Sequence, residues 1–161
     1  MNGRMNKFRF LFLAFLVTTQ AVAGDCFVAA GQRYNIHPWL LYAIADVESS
    51  VNPAAVNRGH AARTRSIDIG LMQVNSRWLS KLGQYGIDAK RLMEPCVNVQ
   101  VGAWILADLF ARYGQTWEAV GAYNAACTTL QGNECLRRRA WYARKVNAAY
   151  RRILAQMEDQ G

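Results

Sequence analysis

The sequence predicts a mainly helical domain that carries at most a small β-hairpin. Three observations lead there. Apolar residues recur at steps of three and four through several long segments. The alternating pattern of half-buried strands is scarce. The 161 residues hold no internal repeat, low-complexity tract or Pro/Gly-rich linker, so the length argues for one domain.

The elements follow in order. Residues 26–34 read as a short helix. Pro38 suits the first turn of the next, which runs to about Ser49 with Leu40, Leu41, Ile44 and Val47 at helical spacing. Asn52-Pro53 stops it, because the residue before a proline is pushed out of the helical region. The polar stretch 52–69, with Arg58, Gly59, Arg63, Thr64 and Arg65, reads as a long loop, with room for a hairpin in 57–69. A helix is expected from about Gly70 to Leu82, then a turn region with Gly83 and Gly86. Val97, Val101, Trp104, Ile105 and Leu109 mark a helix over 97–112. Thr116 is placed to cap one from Trp117 to about Ala125. The last helix spans about 135–155. Leu136, Ala140, Ala143, Val146, Tyr150 and Ile153 are assigned to its buried face, and Arg137-Arg138-Arg139 to its solvated surface.

The first segment stands apart. Arg4, Lys7 and Arg9 precede the apolar run Phe10 to Val17, and Ala21-Val22-Ala23 gives a small-x-small pattern. That order predicts a secretory signal peptide over residues 1–23 and a mature domain over 24–161. A membrane anchor is the alternative, but the run is well short of the ~20 residues that span a bilayer. No stable membrane span is expected after cleavage.

Cys26, Cys96, Cys127 and Cys135 all fall in the mature part. An even count in an exported chain predicts two disulfides. Of the three possible pairings, Cys127–Cys135 with Cys26–Cys96 is favoured, the first closing a short loop and the second tying the mature N-terminus to the middle of the domain. A zinc site is disfavoured, since there is no Cys-x-x-Cys pair and the histidines are His37 and His60. Removing the three basic residues of the segment leaves 16 basic residues against 11 acidic, a mature charge of +5. That charge suits anionic partners of several kinds and decides among none.

Glu48 is the most informative residue. It lies seven residues after Leu41 and four after Ile44, so its side chain leaves the helix on the core-bearing face. Apolar surroundings disfavour the charged form and raise a carboxyl pKa, which suits a general acid near neutral pH. The bland alternative is a helix-end glutamate that turns outward or pairs with Arg58 or Arg65.

Ala43-Ile44-Ala45-Asp46-Val47-Glu48-Ser49 resembles the Glu-Ser helix end of lytic transglycosylases, and Asn52-Pro53-Ala54-Ala55-Val56-Asn57 resembles the segment that follows it. Gly70-Leu71-Met72-Gln73 is similar to that family's second motif, and Ala122-Tyr123-Asn124-Ala125 to its third. The three stand in the family's order within residues 26–150. The short chain looks most like the specialised transglycosylases that accompany conjugation, type III secretion and type IV pilus machines.

The resemblance implies an α+β lysozyme-like fold in the periplasm. It implies cleavage of the β-1,4 bond between N-acetylmuramic acid and N-acetylglucosamine in peptidoglycan. Glu48 would protonate the glycosidic oxygen and then, as a base, activate the muramic acid 6-hydroxyl, giving a 1,6-anhydro product. A nucleophile held within the substrate acts at high effective concentration, so one carboxyl can suffice, with no metal or organic cofactor. By the same resemblance Ser49 would orient the substrate or the acid, Met72 and Gln73 would line the sugar cleft, and Tyr123 would help position Glu48, with Asn124 beside it. The alternative for Met72 and for Tyr123 is a packed core residue.

Two features depart from the pattern. Ala125-Ala126-Cys127 stands where a glycine is expected after the Tyr-Asn-Ala step, so the cysteine is a candidate to fix that turn. Asp68 lies 20 residues after Glu48, like the aspartate of lysozymes. Two flanking carboxylates are the usual requirement for glycoside hydrolysis, so Asp68 is either a second catalytic carboxylate or a cap for the helix expected from Gly70. The competing functions are a muramidase of the same fold and a non-catalytic wall-binding subunit of an envelope machine. No nucleic-acid partner is expected, since no recognisable motif for one is present.

Overall fold

The computed structural model describes residues 19–127 and 132–159, with side chains from Asp25 onward. The signal-peptide reading falls largely outside these residues. Among the described residues are seven α-helices: α1 Thr19–Tyr34, α2 Pro38–Ser49, α3 Ala61–Thr64, α4 Leu79–Leu82, α5 Pro95–Tyr113, α6 Trp117–Asn124 and α7 Gly132–Glu158. A small antiparallel sheet, in the order β1 Val56–Asn57, β2 Asp68–Ile69 and β3 Val74–Asn75, lies between α2 and α4 in the chain. The fold is therefore the expected helical domain, with a third strand added to the expected hairpin.

α5 supplies much of the core. Its Val99, Val101, Ala103, Ile105 and Leu106 are buried, and it packs against α1 and α6, while α7 lies across α6 and α2. Leu41, Ala43, Ile44 and Ala45 of α2 are fully buried. Fully burying one large apolar side chain is worth about 1.5–3 kcal/mol, so this shared core fixes how the helices cross. Two glycines set close approaches. A Cβ at Gly102 of α5 would overlap Met72, and one at Gly121 of α6 would lie 2.5 Å from the Arg139 carbonyl oxygen of α7.

The expected helix from Gly70 to Leu82 does not form as such. Residues 70–73 make a turn, β3 follows, and only Leu79–Leu82 is α-helical, after a 3-10 turn at Ser76–Trp78. The cause lies in the backbone. Gly70 has φ +75° and Gln73 φ +48°, both left-handed and incompatible with a helix start. Asn98 of α5 holds the turn from below. Fully buried, it accepts from Met72 N at 2.8 Å and donates to Ile69 O and Leu92 O, each at 2.8 Å.

α7 also corrects the sequence reading. Its buried residues are Arg139, Tyr142, Ala143, Val146, Ala149 and Ile153, while Leu136 is 53% exposed and Ala140 is exposed too. Arg139, expected on the surface, is 7% exposed. Its guanidinium donates to Ala125 O and Tyr113 Oη and pairs with Glu118 Oε1, each at 3.1 Å. A buried charge survives only when its donors are satisfied in this way.

Disulfides join Cys26 to Cys96 and Cys127 to Cys135. The first fastens α1 to the start of α5. The second fastens the end of α6 to the start of α7. Disulfides belong to oxidising compartments. Among the described residues no helix is long and apolar enough to cross a membrane, and no group of three or more His, Cys, Asp or Glu could hold a metal ion.

Candidate active site

Glu48 stands one residue before the end of α2. The helix stops where Ser50 and Val51 turn left-handed, with φ of 54° and 57°. Their N–H groups bond back to Asp46 O and Ala45 O, closing the last carbonyls of the helix. The four-residue step from Ile44 carries Glu48 towards the α2–α7 contact. There it meets Tyr142, which is 2% exposed and donates to Glu48 Oε1 at 2.6 Å. Among the described residues no arginine forms an ion pair with Glu48, so the outward pairing with Arg58 or Arg65 does not occur.

Burial is the main influence on Glu48 and raises its pKa to about 7. The negative charge of Asp68 pushes the same way. The Tyr142 hydrogen bond, the positive charge of Lys145 and a hydrogen bond from Asn124 oppose it. Burial and the Glu48 charge hold the phenols of Tyr123 and Tyr142 well above their ordinary value, so both remain donors. Near neutral pH the site can therefore hold a proton on Glu48 or release it, as acid and base work in sequence requires.

Asp68 reaches the same site from the sheet. The register sets Asn57, Asp68 and Asn75 side by side across the three strands, and thus on one face. Asn75 Nδ2 donates to Asp68 Oδ1 at 2.7 Å, Asn57 Nδ2 approaches Oδ2 at 3.5 Å, and His60 Nε2 lies 3.5 Å from Oδ2. The neighbouring row is buried at Ile69 and Val74, which anchors the sheet. With no helix starting at Gly70, Asp68 has no helix to cap.

The remaining predicted residues divide. Ser49 Oγ is used internally. It donates to Leu71 O at 2.7 Å, accepts from Asn52 N at 3.1 Å, and so pins the 70–73 turn to the end of α2. Gln73, half-buried, donates through Nε2 to Gly70 O at 2.8 Å and Ala55 O at 3.3 Å, leaving its amide oxygen for a ligand. Met72 is 0% exposed and packs on Gly102, so its side chain belongs to the core and not to a cleft wall. Tyr123 Oη donates to Met72 O at 3.0 Å, so its contact is with the turn, while the same hydroxyl lies close enough to feel the charge of Glu48. Asn124 is exposed beside Glu48. Cys127, one residue past the place where a glycine is expected, has φ +57° and is bound to Cys135, so the left-handed residue of this turn is a disulfide-held cysteine.

Sequence reasoning missed Tyr142, Asn98 and the amide pair around Asp68. For Tyr142 a signal existed, because Tyr142, Val146, Tyr150 and Ile153 follow one another at steps of four, four and three. Asn98 carries no local signal, since it holds residues 26 and 29 positions away, and Asn57 and Asn75 meet Asp68 only through the register of the three strands.

The chain is similar to known proteins over most of its length. The family model for the transglycosylase SLT domain matches residues 25–145. The chain is similar to invasion protein IagB of Salmonella typhimurium, 41% identical over 145 residues covering 89% of this chain and 86% of the relative. Similarity to protein IpgF of Shigella flexneri is 37% over 156 residues, covering 96% and 97% of the two chains. Among solved structures, an inactive mutant of lytic transglycosylase Slt from Pseudomonas aeruginosa superposes with a TM-score of 0.63 at 21% identity. That match covers 90% of this chain but 25% of the larger protein, and it shows the shared fold.

Proposed function

We infer a function from the family: the chain belongs to the transglycosylase SLT domain family, and it cleaves peptidoglycan glycan strands as a lytic transglycosylase. The observation that carries the reading is the Glu48 carboxyl, buried, hydrogen-bonded by Tyr142 and raised to a pKa of about 7. Glu48 protonates the oxygen between N-acetylmuramic acid and N-acetylglucosamine, and the glycosidic bond breaks. The carboxylate then takes the proton of the muramic acid 6-hydroxyl as that oxygen bonds to its own anomeric carbon. Atoms balance without water, and Glu48 ends protonated for the next cycle. Asp68, 20 positions on and held by Asn75, lends negative charge where an oxocarbenium-like transition state develops. Gln73 and Asn124 contact the sugar, Tyr123 holds the turn that carries Gln73, and Ser49 positions it from α2.

The protein works in the periplasm after removal of residues 1–23, as the N-terminal pattern and the two disulfides support. It opens the wall locally for an envelope-spanning secretion, conjugation or pilus apparatus. Its likeness over nearly full length to a relative named an invasion protein supports that setting.

The paired carboxylates favour one second reading, a muramidase in which Asp68 serves hydrolysis. Mass spectrometry of digested peptidoglycan separates the two. Ends of 1,6-anhydro-muramic acid, absent with Glu48→Gln, are the expected result. Reducing ends, one water heavier, would instead make the protein a hydrolase. Full turnover by folded Glu48→Gln would remove Glu48 from the mechanism.

A further inference from the structure

α7 has a second face that the candidate active site does not use. At about 100° per residue, Leu136, Ala140, Ala143 and Asn147 lie roughly 100–160° around the helix from Tyr142. They succeed one another at steps of four, three and four, the spacing of a coiled-coil seam. They line a cavity of about 830 Å³ between α6 and α7, with Trp117 of α6 also in its wall. Its lining is mainly apolar, yet Leu136 is 53% and Trp117 41% exposed.

One edge of this groove is charged. Arg137, Arg144 and Arg151 stand seven residues apart, the first two directly after the seam residues Leu136 and Ala143 and the third after Tyr150, and Arg144 and Arg151 line the cavity. Elsewhere on α7, Arg139 pairs with Glu118 and Arg152 with Asp46. Among the described residues no carboxylate forms an ion pair with Arg137, Arg144 or Arg151. Three unneutralised charges therefore lie along about 21 Å of helix, beside a seam in which Leu136 and Ala140 are exposed and Ala143 is buried.

The spacing identifies the shape of the complement. A seven-residue step on an α-helix drifts about 20° per heptad, the drift that a left-handed supercoil absorbs. A helix crossing α7 at about 20° keeps all three arginines along one border of the contact. The groove is concave between α6 and α7, which fits the convex side of a helix better than a flat lipid surface. A second copy of this chain is opposed by charge, because antiparallel pairing on this seam sets arginine against arginine.

We propose that the α6–α7 groove docks an amphipathic helix of a partner protein, with its apolar residues on the seam and Asp or Glu along the border facing Arg137, Arg144 and Arg151. This is a site of attachment, separate from the chemistry at Glu48. It would place the enzyme without occupying its cleft.

A peptide of about 21 residues, with Leu at the seam positions and Glu at the bordering ones, tests this against the full protein. Calorimetry should show binding that weakens about tenfold or more with a scrambled peptide of equal composition. Arg144→Glu with Arg151→Glu should weaken it by a similar factor, and a peptide carrying Lys for Glu should recover binding to that variant. Peptidoglycan cleavage and melting temperature should stay unchanged in the variant. Failure of the helical peptide to bind overturns the proposal. Equal binding of the scrambled peptide overturns it too, reducing the face to a generic polyanion site. Arginine-dependent binding to phosphatidylglycerol vesicles without peptide preference would make it a membrane contact. Self-association in sedimentation that Leu136→Lys abolishes would make the occupant a second copy.

Discussion

The Tyr142 hydroxyl donates to Glu48 Oε1 at 2.6 Å, joining α7 to the end of α2 across 94 positions of sequence. That bond favours the carboxylate, against the burial that favours the acid. Asp68 acts with burial, because its negative charge makes a second one at Glu48 harder to form. The proton on Glu48 is thus set by opposed influences from α7 and the sheet.

Turnover that begins with protonated Glu48 should fall as pH rises through about 7. Tyr142→Phe removes the stabilising donor and should move that falling limb to higher pH while lowering the maximum rate. Asp68→Asn should move it to lower pH, with a rate loss larger than at an ordinary surface site. Rate profiles of the two variants against the wild type check both signs. A limb that stays in place in both would mean that another group titrates.

Glu48 also makes stability depend on pH. Its folded pKa of about 7 exceeds the ordinary carboxyl value of 4.5, so between those values the folded chain binds the proton that the unfolded chain has lost. Stability therefore falls as pH rises from 4.5 to about 7, by on the order of 3 kcal/mol, and changes no further above that from this group. Glu48→Gln carries no such charge. Its melting temperature should match the wild type near pH 4 and rise relative to it by pH 8. Parallel melting curves at the two pH values would mean that Glu48 is not held in its acid form by the fold.

What could be read from the sequence follows from the range of each interaction. Glu48 was legible because its burial depends on a local repeat, the steps from Leu41 and Ile44 along one helix. The same logic placed α5 and α6, and Thr116 does cap α6, accepting from Ala119 N at 3.3 Å. The reading failed at Gly70, where the apolar run of Leu71, Met72 and Val74 suits a helix. The tertiary bonds from Asn98 hold it as a turn. Arg139 misled for a related reason: three successive arginines look like surface, and only the packing of α6 against α7 selects which one is buried. Tyr142 lay on a legible stripe, but its bond to Glu48 depends on how α2 and α7 cross, which no local pattern states.

Met72 separates a core role from a sugar-binding one. Its side chain is fully buried against Gly102, while its backbone holds Tyr123 and Asn98. Met72→Leu conserves volume and should cost less than about 1.5 kcal/mol, with turnover per folded molecule nearly unchanged. Met72→Ala should cost about 2–5 kcal/mol through the cavity it leaves. Denaturant unfolding together with the Michaelis constant decides between the roles. A raised Michaelis constant with unaltered stability would return Met72 to the cleft.

The two disulfides should prove unequal, and in opposite senses for stability and turnover. Cys26–Cys96 bridges a sequence separation of 70 and Cys127–Cys135 one of 8. Loop-closure entropy then assigns roughly 4 kcal/mol to the first and roughly 2.5 to the second. The second, however, holds Cys127 left-handed three residues after Asn124 and ties α6 to the helix that carries Tyr142. Replacing Cys26 and Cys96 with Ala should lower the melting temperature more and leave turnover by folded protein close to the wild type. The same change at Cys127 and Cys135 should lower the melting temperature less and turnover more. Cys127→Gly with Cys135→Ala should recover part of that turnover, because glycine reaches the left-handed region without a bridge to hold it there. Equal turnover in all three variants would show that the α6–α7 corner keeps its geometry through Arg139 alone, which already grips the Ala125 carbonyl at 3.1 Å.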